Sequence, residues 1–150
     1  MKIKSLYTLT AFLTLGLFAF ILVSFKSYQK EPWTQEQLLE PRDLALTINT
    51  PQSHQPVVLS VGPAAVIKNS IDIGATREKE NLDKLKQKLK DVSKDETIVL
   101  YCGCCPFDKC PNIRPAFDLL NQLGFKNHKL LNLPHNVKMD WIDHGYPVAE

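Results

Sequence analysis

The run Ile98-Val99-Leu100-Tyr101, β-branched and aromatic, ends on a cysteine, and all four cysteines of the chain fall between positions 102 and 110. The stretch reads Cys102-Gly103-Cys104-Cys105-Pro106-Phe107-Asp108-Lys109-Cys110. A short apolar run entered from the polar segment 93–97 predicts a buried strand. Beyond the cysteines, Ile113, Ala116, Phe117, Leu120 and Leu123 recur at helical spacing and stop at Gly124, a suitable C-cap residue. Strand, loop and helix in that order put Cys102 at the carboxyl end of a strand, where open α/β sheets bind ligands. Core packing alone does not cluster cysteines in this way.

A thiol at that address faces the backbone N–H groups of the loop and the positive end of the following helix, and both favour thiolate. A thiolate attacks the outer sulfur of a donor and becomes a persulfide, which the same N–H groups stabilise until an acceptor removes the sulfur. Cys102 is therefore the candidate nucleophile. Gly103, Cys104, Cys105 and Phe107 are candidate loop or substrate contacts, with Lys109 and Arg114 as candidate binders of an anionic donor. Cys104, Cys105 and Cys110 are redox or disulfide candidates, although a bridge between the adjacent Cys104 and Cys105 is strained. The competing reading is a module that catalyses nothing and uses the cluster to bind a metal or a partner, with Cys102, Cys104, Cys105 and Cys110 as ligands of Zn²⁺ or Cu⁺ at a spacing unlike that of a zinc finger or ribbon. A third is a structural domain with a disulfide-closed loop. No organic cofactor is expected. His128, His135 and His144 could add a ligand or a base, but each reads first as a surface residue.

The rest of the chain continues the alternation. Val57-Val58-Leu59-Ser60-Val61 predicts a second buried strand, and Leu82, Leu85, Leu89 and Val92 form the single apolar stripe of an amphipathic helix. Residues 129–133 predict a last strand, and 136–144 a short helix closed by Gly145. At the start, Thr34 and Gln37 have capping-box spacing, Trp33 is placed to staple onto Leu38, and Pro41 limits the helix they open. Strands and helices in alternation imply an α/β fold, a parallel sheet flanked by helices. Residues 5–25 contain no charge and follow Lys2 and Lys4, so 1–26 is expected to be an N-terminal hydrophobic helix, either a membrane anchor or a signal peptide. Residues 27–32 read as a linker and 33–150 as the domain. That places the domain outside the cytoplasm, in the periplasm or cell envelope, touching the membrane through the N-terminal segment if it is uncleaved. A net charge of +2 with scattered lysines gives no electrostatic footprint for nucleic acid.

The second half of the chain resembles the rhodanese-like family. The shared pattern is Ile98-Val99-Leu100-Tyr101-Cys102, a loop, an Arg-bearing helix start, Ala116, Leu119, Leu120, Leu123 and Gly124-Phe125-Lys126-Asn127, then Trp141 and Gly145-Tyr146-Pro147-Val148. Upstream, residues 33–39 are similar to the family's opening helix, and Ile67-Lys68-Asn69-Ser70-Ile71 to its Ile-x-Gly-Ala-Ile segment. The resemblance implies a rhodanese-like fold over about 33–148 and a thiosulfate-type sulfurtransferase or thiol-redox activity through a Cys102 persulfide, with a thiophilic acceptor. Three departures stand out: Ser60-Val61-Gly62 where the family usually has Asp-Val-Arg, Asn69 where it has Gly together with 133–136 where it has a double Gly, and a cysteine loop about five residues longer.

Overall fold

The computed structural model describes residues 31–150. The expected hydrophobic segment 1–26, most of the linker, and the membrane, signal-peptide and periplasmic readings that rest on them lie outside the described residues. Among the described residues, no helix is long and apolar enough to cross a membrane.

The fold is α/β. Five parallel strands, β1 (Leu38–Leu39), β2 (Val57–Ser60), β3 (Ile71–Asp72), β4 (Thr97–Tyr101) and β5 (Asn127–Leu131), lie in the order β1-β5-β4-β2-β3. The helices are α1 (Pro41–Ile48), α2 (Lys79–Lys88) and α3 (Ile113–Gln122), and Lys138–Ile142 forms a π-helical turn. The central strand β4 is buried on both faces, which is why its sequence is an unbroken apolar run.

Strand alternation sorts that run into two cores. Ile98 and Leu100 pack with Leu85 and Leu89 of the α2 segment and with Ile113, Phe117 and Leu120 of α3. Val99 and Tyr101 point the other way, to Leu44 and Ile48 of α1 and to Trp141. Cys102 continues the Ile98 and Leu100 face, so its side chain lands on the α3 side. The Tyr101 hydroxyl accepts the N–H groups of Val66 (2.8 Å) and Ile67 (3.2 Å) and bonds the Ser70 hydroxyl (2.9 Å). Asn69 takes φ 63° in this turn, a conformation that Asn tolerates better than most residues. The C-terminal Pro147 and Val148 return to the same segment, Lys68 N–H donating to the Pro147 carbonyl at 3.1 Å and Val148 bridging Ile67.

Two sequence expectations change at the N-terminal side. The capping-box residues do pair, Thr34 N–H donating to Gln37 Oε1 at 3.0 Å, but they close a 3-10 turn over Gln35–Gln37 that leads directly into β1. Pro41 does not end a helix; it opens α1, because the first helical position needs no N–H donor. The last strand runs Asn127–Leu131 and not 129–133. His128 is buried at 4% exposure, with Nε2 bonding Asn121 Oδ1 at 2.8 Å and the ring 4.6 Å from Phe117, which corrects its reading as a surface residue.

Candidate functional site

The loop between β4 and α3 is pinned at three points. Val137 N–H donates to the Gly103 carbonyl (3.0 Å), Phe107 N–H donates to the Leu133 carbonyl (3.1 Å), and Cys110 N–H closes a 3-10 turn on the Phe107 carbonyl (3.3 Å). Gly103 is required at its place: a Cβ there would come within 2.7 Å of Val137 Cγ1. Phe107 is half-buried with its ring 6.0 Å from Trp33.

Held this way, the loop folds its cysteines back over the strand end. Cys102 and Cys110 are buried, Cys105 is half-buried and Cys104 is exposed, all four as free thiols. The four sulfurs lie within 4.8 Å of one another. Cys102 Sγ is 3.4 Å from Cys104 Sγ, and Cys104 Sγ is 3.4 Å from Cys105 Sγ. The redox candidates therefore do sit together, and Cys110, eight positions along the chain, joins them through the turn at Phe107.

Two residues complete the site that the motif alone does not disclose. Asn112 stands at the N-cap of α3, buried, and its Nδ2 points at Cys102 Sγ from 3.6 Å. Its orientation is set from behind, where its Oδ1 accepts the Arg77 N–H (3.2 Å) and its carbonyl accepts the Thr76 hydroxyl (2.6 Å). An Asn directly before a helical run is an N-cap signal in sequence, and here the cap amide serves the sulfur. Gly62, beyond the end of β2, is the other: a Cβ on it would lie 2.7 Å from Cys102 Sγ. The absence of a side chain at position 62 thus leaves room for the sulfur.

These contacts decide where the negative charge rests. The Cys102 thiol is lowered from 9.0 to about 5, first by the hydrogen bond from the Cys110 thiol and, against the cost of burial, by the Cys104 N–H, the Asn112 amide and the Cys104 thiol. Cys104 is pushed up to about 12, by burial first and then by hydrogen bonds and charge at Cys102 and Cys105. Cys110 is held far above the ordinary thiol range by its bond to Cys102 and by burial. At neutral pH the cluster therefore carries a thiolate centred on Cys102 and steadied by protonated neighbours.

The two side chains expected to bind an anion are engaged with protein groups. Arg114 Nη2 bonds Glu31 Oε1 (2.6 Å) and the Asp108 carbonyl (2.8 Å), with the guanidinium 5.5 Å from the Trp33 ring. The exposed Lys109 pairs with Asp108 at 3.0 Å. A surface cavity of about 240 Å³, lined by Glu40, Arg42, Asn132, Asp140, His144 and Tyr146 among others, has no cysteine in its wall. Its carboxylates are already partnered, Glu40 by Asn132 (2.8 Å) and Asp140 by His135 (2.7 and 2.8 Å).

No protein-family model matches the chain, and no curated protein sequence does. Among solved structures, a cysteine-to-serine variant of EanB in complex with hercynine is similar over 76% of this chain, with a TM-score of 0.54 and 14% identity. The chain spans 27% of the length of that structure, and at this identity the likeness is one of fold.

Proposed function

We propose that this is a rhodanese-like sulfurtransferase or thiol-redox domain working through a persulfide on Cys102. The observation that carries the reading is the setting of Cys102 Sγ: the first position beyond the central strand β4, on its α3-facing side, with the Asn112 amide at 3.6 Å and no Cβ on Gly62 to crowd it. In the first step the Cys102 thiolate attacks the outer sulfur of thiosulfate. The S–S bond of the donor breaks, sulfite leaves with the bonding electrons, and Cys102 retains the sulfur as a persulfide anion. In the second step an acceptor thiolate attacks that terminal sulfur, and the Cys102 thiolate is regenerated. Charge balances in both steps. The amide of Asn112 and the N–H of Cys104 stabilise the charge on the outer atom in the intermediate. Because Cys102 is only 1% exposed, a donor reaches it where loop 103–109 yields, which restricts donors to small molecules.

Intact mass spectrometry after thiosulfate treatment tests the reading. The expected result is the gain of one sulfur atom in the wild type and in Cys105→Ser, and none in Cys102→Ser. A wild-type chain that gains no sulfur from thiosulfate or polysulfide ends it. Localisation in the cell envelope is part of the same proposal, motivated by the uncharged stretch 5–25, and is tested by fractionating cells that express the whole chain.

A further inference from the structure

We propose that the four cysteine sulfurs also form one closed site for a single thiophilic d¹⁰ cation, Zn²⁺ or Cu⁺. Each of Cys102, Cys104, Cys105 and Cys110 offers one Sγ, and the widest separation among them is within 4.8 Å. A Zn–S bond of about 2.3 Å sets the sulfurs of a tetrahedron roughly 3.8 Å apart. The 3.4 Å contacts lie just inside that edge, and the widest pair closes by at most about 1 Å, shared between two side chains. The same spacing is too tight to bracket a two-iron cluster. The donor set is purely thiol, without carboxylate or imidazole, which selects a soft cation over Mg²⁺ or Ca²⁺.

The surroundings are those of a metal centre in two further respects. Two ligands lie buried below, Cys102 and Cys110, and two are carried by the loop above, Cys104 and Cys105, so the set closes around one ion with no open coordination position. An outer shell is already built: the Asn112 amide donates to Cys102 Sγ, and Thr76 and Arg77 fix the Asn112 side chain and backbone. Ion binding displaces the protons held by the thiols, and no electron is transferred. Occupied, the site holds Cys102 as a ligand and withdraws it from sulfur transfer; vacated, it restores the nucleophile. Metal and sulfane sulfur thus compete for one atom.

The whole chain, reduced and stripped of metal under argon with no sulfur donor present, is titrated with Co²⁺. The expected result is the intense visible bands and the sulfur-to-cobalt charge-transfer band of a tetrahedral thiolate site, complete at one ion per chain and bleached by one equivalent of Zn²⁺. Cys110→Ser and Cys105→Ser weaken Co²⁺ by more than about 100-fold, and Asn112→Ala by about 10- to 100-fold. Circular dichroism checks folding, and if Cys110→Ser does not fold, the half-exposed Cys105 decides the question. A competition against a Cu⁺ chelator runs in parallel; one-to-one Cu⁺ uptake with cobalt refused supports the site and assigns it to Cu⁺. The proposal is overturned if neither ion binds at one per chain, or if the folded Cys105→Ser chain keeps full affinity for both. These readouts precede any sulfur chemistry, so their failure and that of the persulfide reading are separately visible.

Discussion

Gly62→Ala tests the packing of the site without touching a cysteine. The new methyl carbon would lie 2.7 Å from Cys102 Sγ and 3.4 Å from the Gly103 nitrogen, where an ordinary contact is about 3.5–4.0 Å. Something must move by about 1 Å. The backbone of β4 is fixed by its ladders to β2 and β5, so the displacement falls on the sulfur and on the start of the loop. Overpacking of this kind costs about 1–3 kcal/mol. Replacing Gly by Ala also restricts the unfolded chain and returns about 0.4–1 kcal/mol. The net loss is roughly 1–2 kcal/mol, or a fall of roughly 4–8 °C in melting temperature for a domain of this size. Chemically, the sulfur pushed off Gly62 loses its alignment with Asn112, so alkylation of Cys102 at about pH 6.5, where an ordinary thiol is mostly protonated, slows severalfold. Thermal unfolding and peptide-mapped alkylation rates measure both effects. A variant as stable and as reactive as the wild type would show that Cys102 Sγ does not rest against this glycine, and the proposed geometry would fall with it.

The metal-free, reduced protein should gain stability as pH rises from about 5 toward 9 and lose it above that range. Cys102 is deprotonated in the folded chain from about 5, whereas the unfolded thiol keeps its proton to the ordinary 9.0, so the unfolded state binds more protons in this window. Above it, Cys104 and Cys110 keep protons in the folded chain that the unfolded chain releases, and the slope reverses. Buried His128, lowered from its ordinary value by desolvation, adds a rise of the same sign at the acid side, so the quantity to compare is the difference between wild type and Cys102→Ser in urea titrations; a difference that is flat between about pH 6 and 8 refutes the assignment. Tyr101→Phe strands the N–H groups of Val66 and Ile67, at about 1–3 kcal/mol for each donor left without a partner in the interior. Val66 is only half-buried and its N–H is the cheaper of the two to strand, so the expected loss by urea unfolding is about 2–4 kcal/mol, and one below about 0.5 kcal/mol would mean that water replaces the hydroxyl.

The strand-loop-helix order around the cysteines was legible because it rests on local signals: the β-branched run 98–101, the period of 113–123 and the stop at Gly124. The parallel sheet followed from alternation. The two-residue strands β1 and β3 carry too little sequence to show a period, and they exist only because β5 and β2 offer them partners. Pro41 was ambiguous for a physical reason, since a residue without an N–H stops one helix and starts another equally well. At the site, Cys102 could be placed by its strand. Its convergence with Cys110 could not, since that depends on loop anchors at Leu133 and Val137, more than twenty residues away in sequence. Gly62 and Asn112 are long-range partners of the same kind. Each looks ordinary in its own neighbourhood, and each matters through one contact with a sulfur.

Arg114 shows how position in sequence and role can separate. Its place at the head of α3 suits an anion binder for the site, yet its guanidinium is engaged by Glu31, by the Asp108 carbonyl and by the face of Trp33. These contacts come from two pieces of chain, residues 31–33 and loop 103–110, and Arg114 itself sits on a third, α3. A side chain that ties three segments together acts as a brace, and the expectation for a brace is an effect on folding larger than any on donor affinity. The pair with Glu31 is partly exposed, at 27% and 34%, so its contribution is discounted for solvent to roughly 1 kcal/mol. Arg114→Gln should therefore lower the urea midpoint modestly and speed proteolysis within loop 103–110, while KM for thiosulfate stays within about twofold of wild type. If KM instead rises about tenfold or more with the unfolding midpoint unchanged, the guanidinium binds donor, the Glu31 pair opens during turnover, and Arg114 returns to the site as an anion binder.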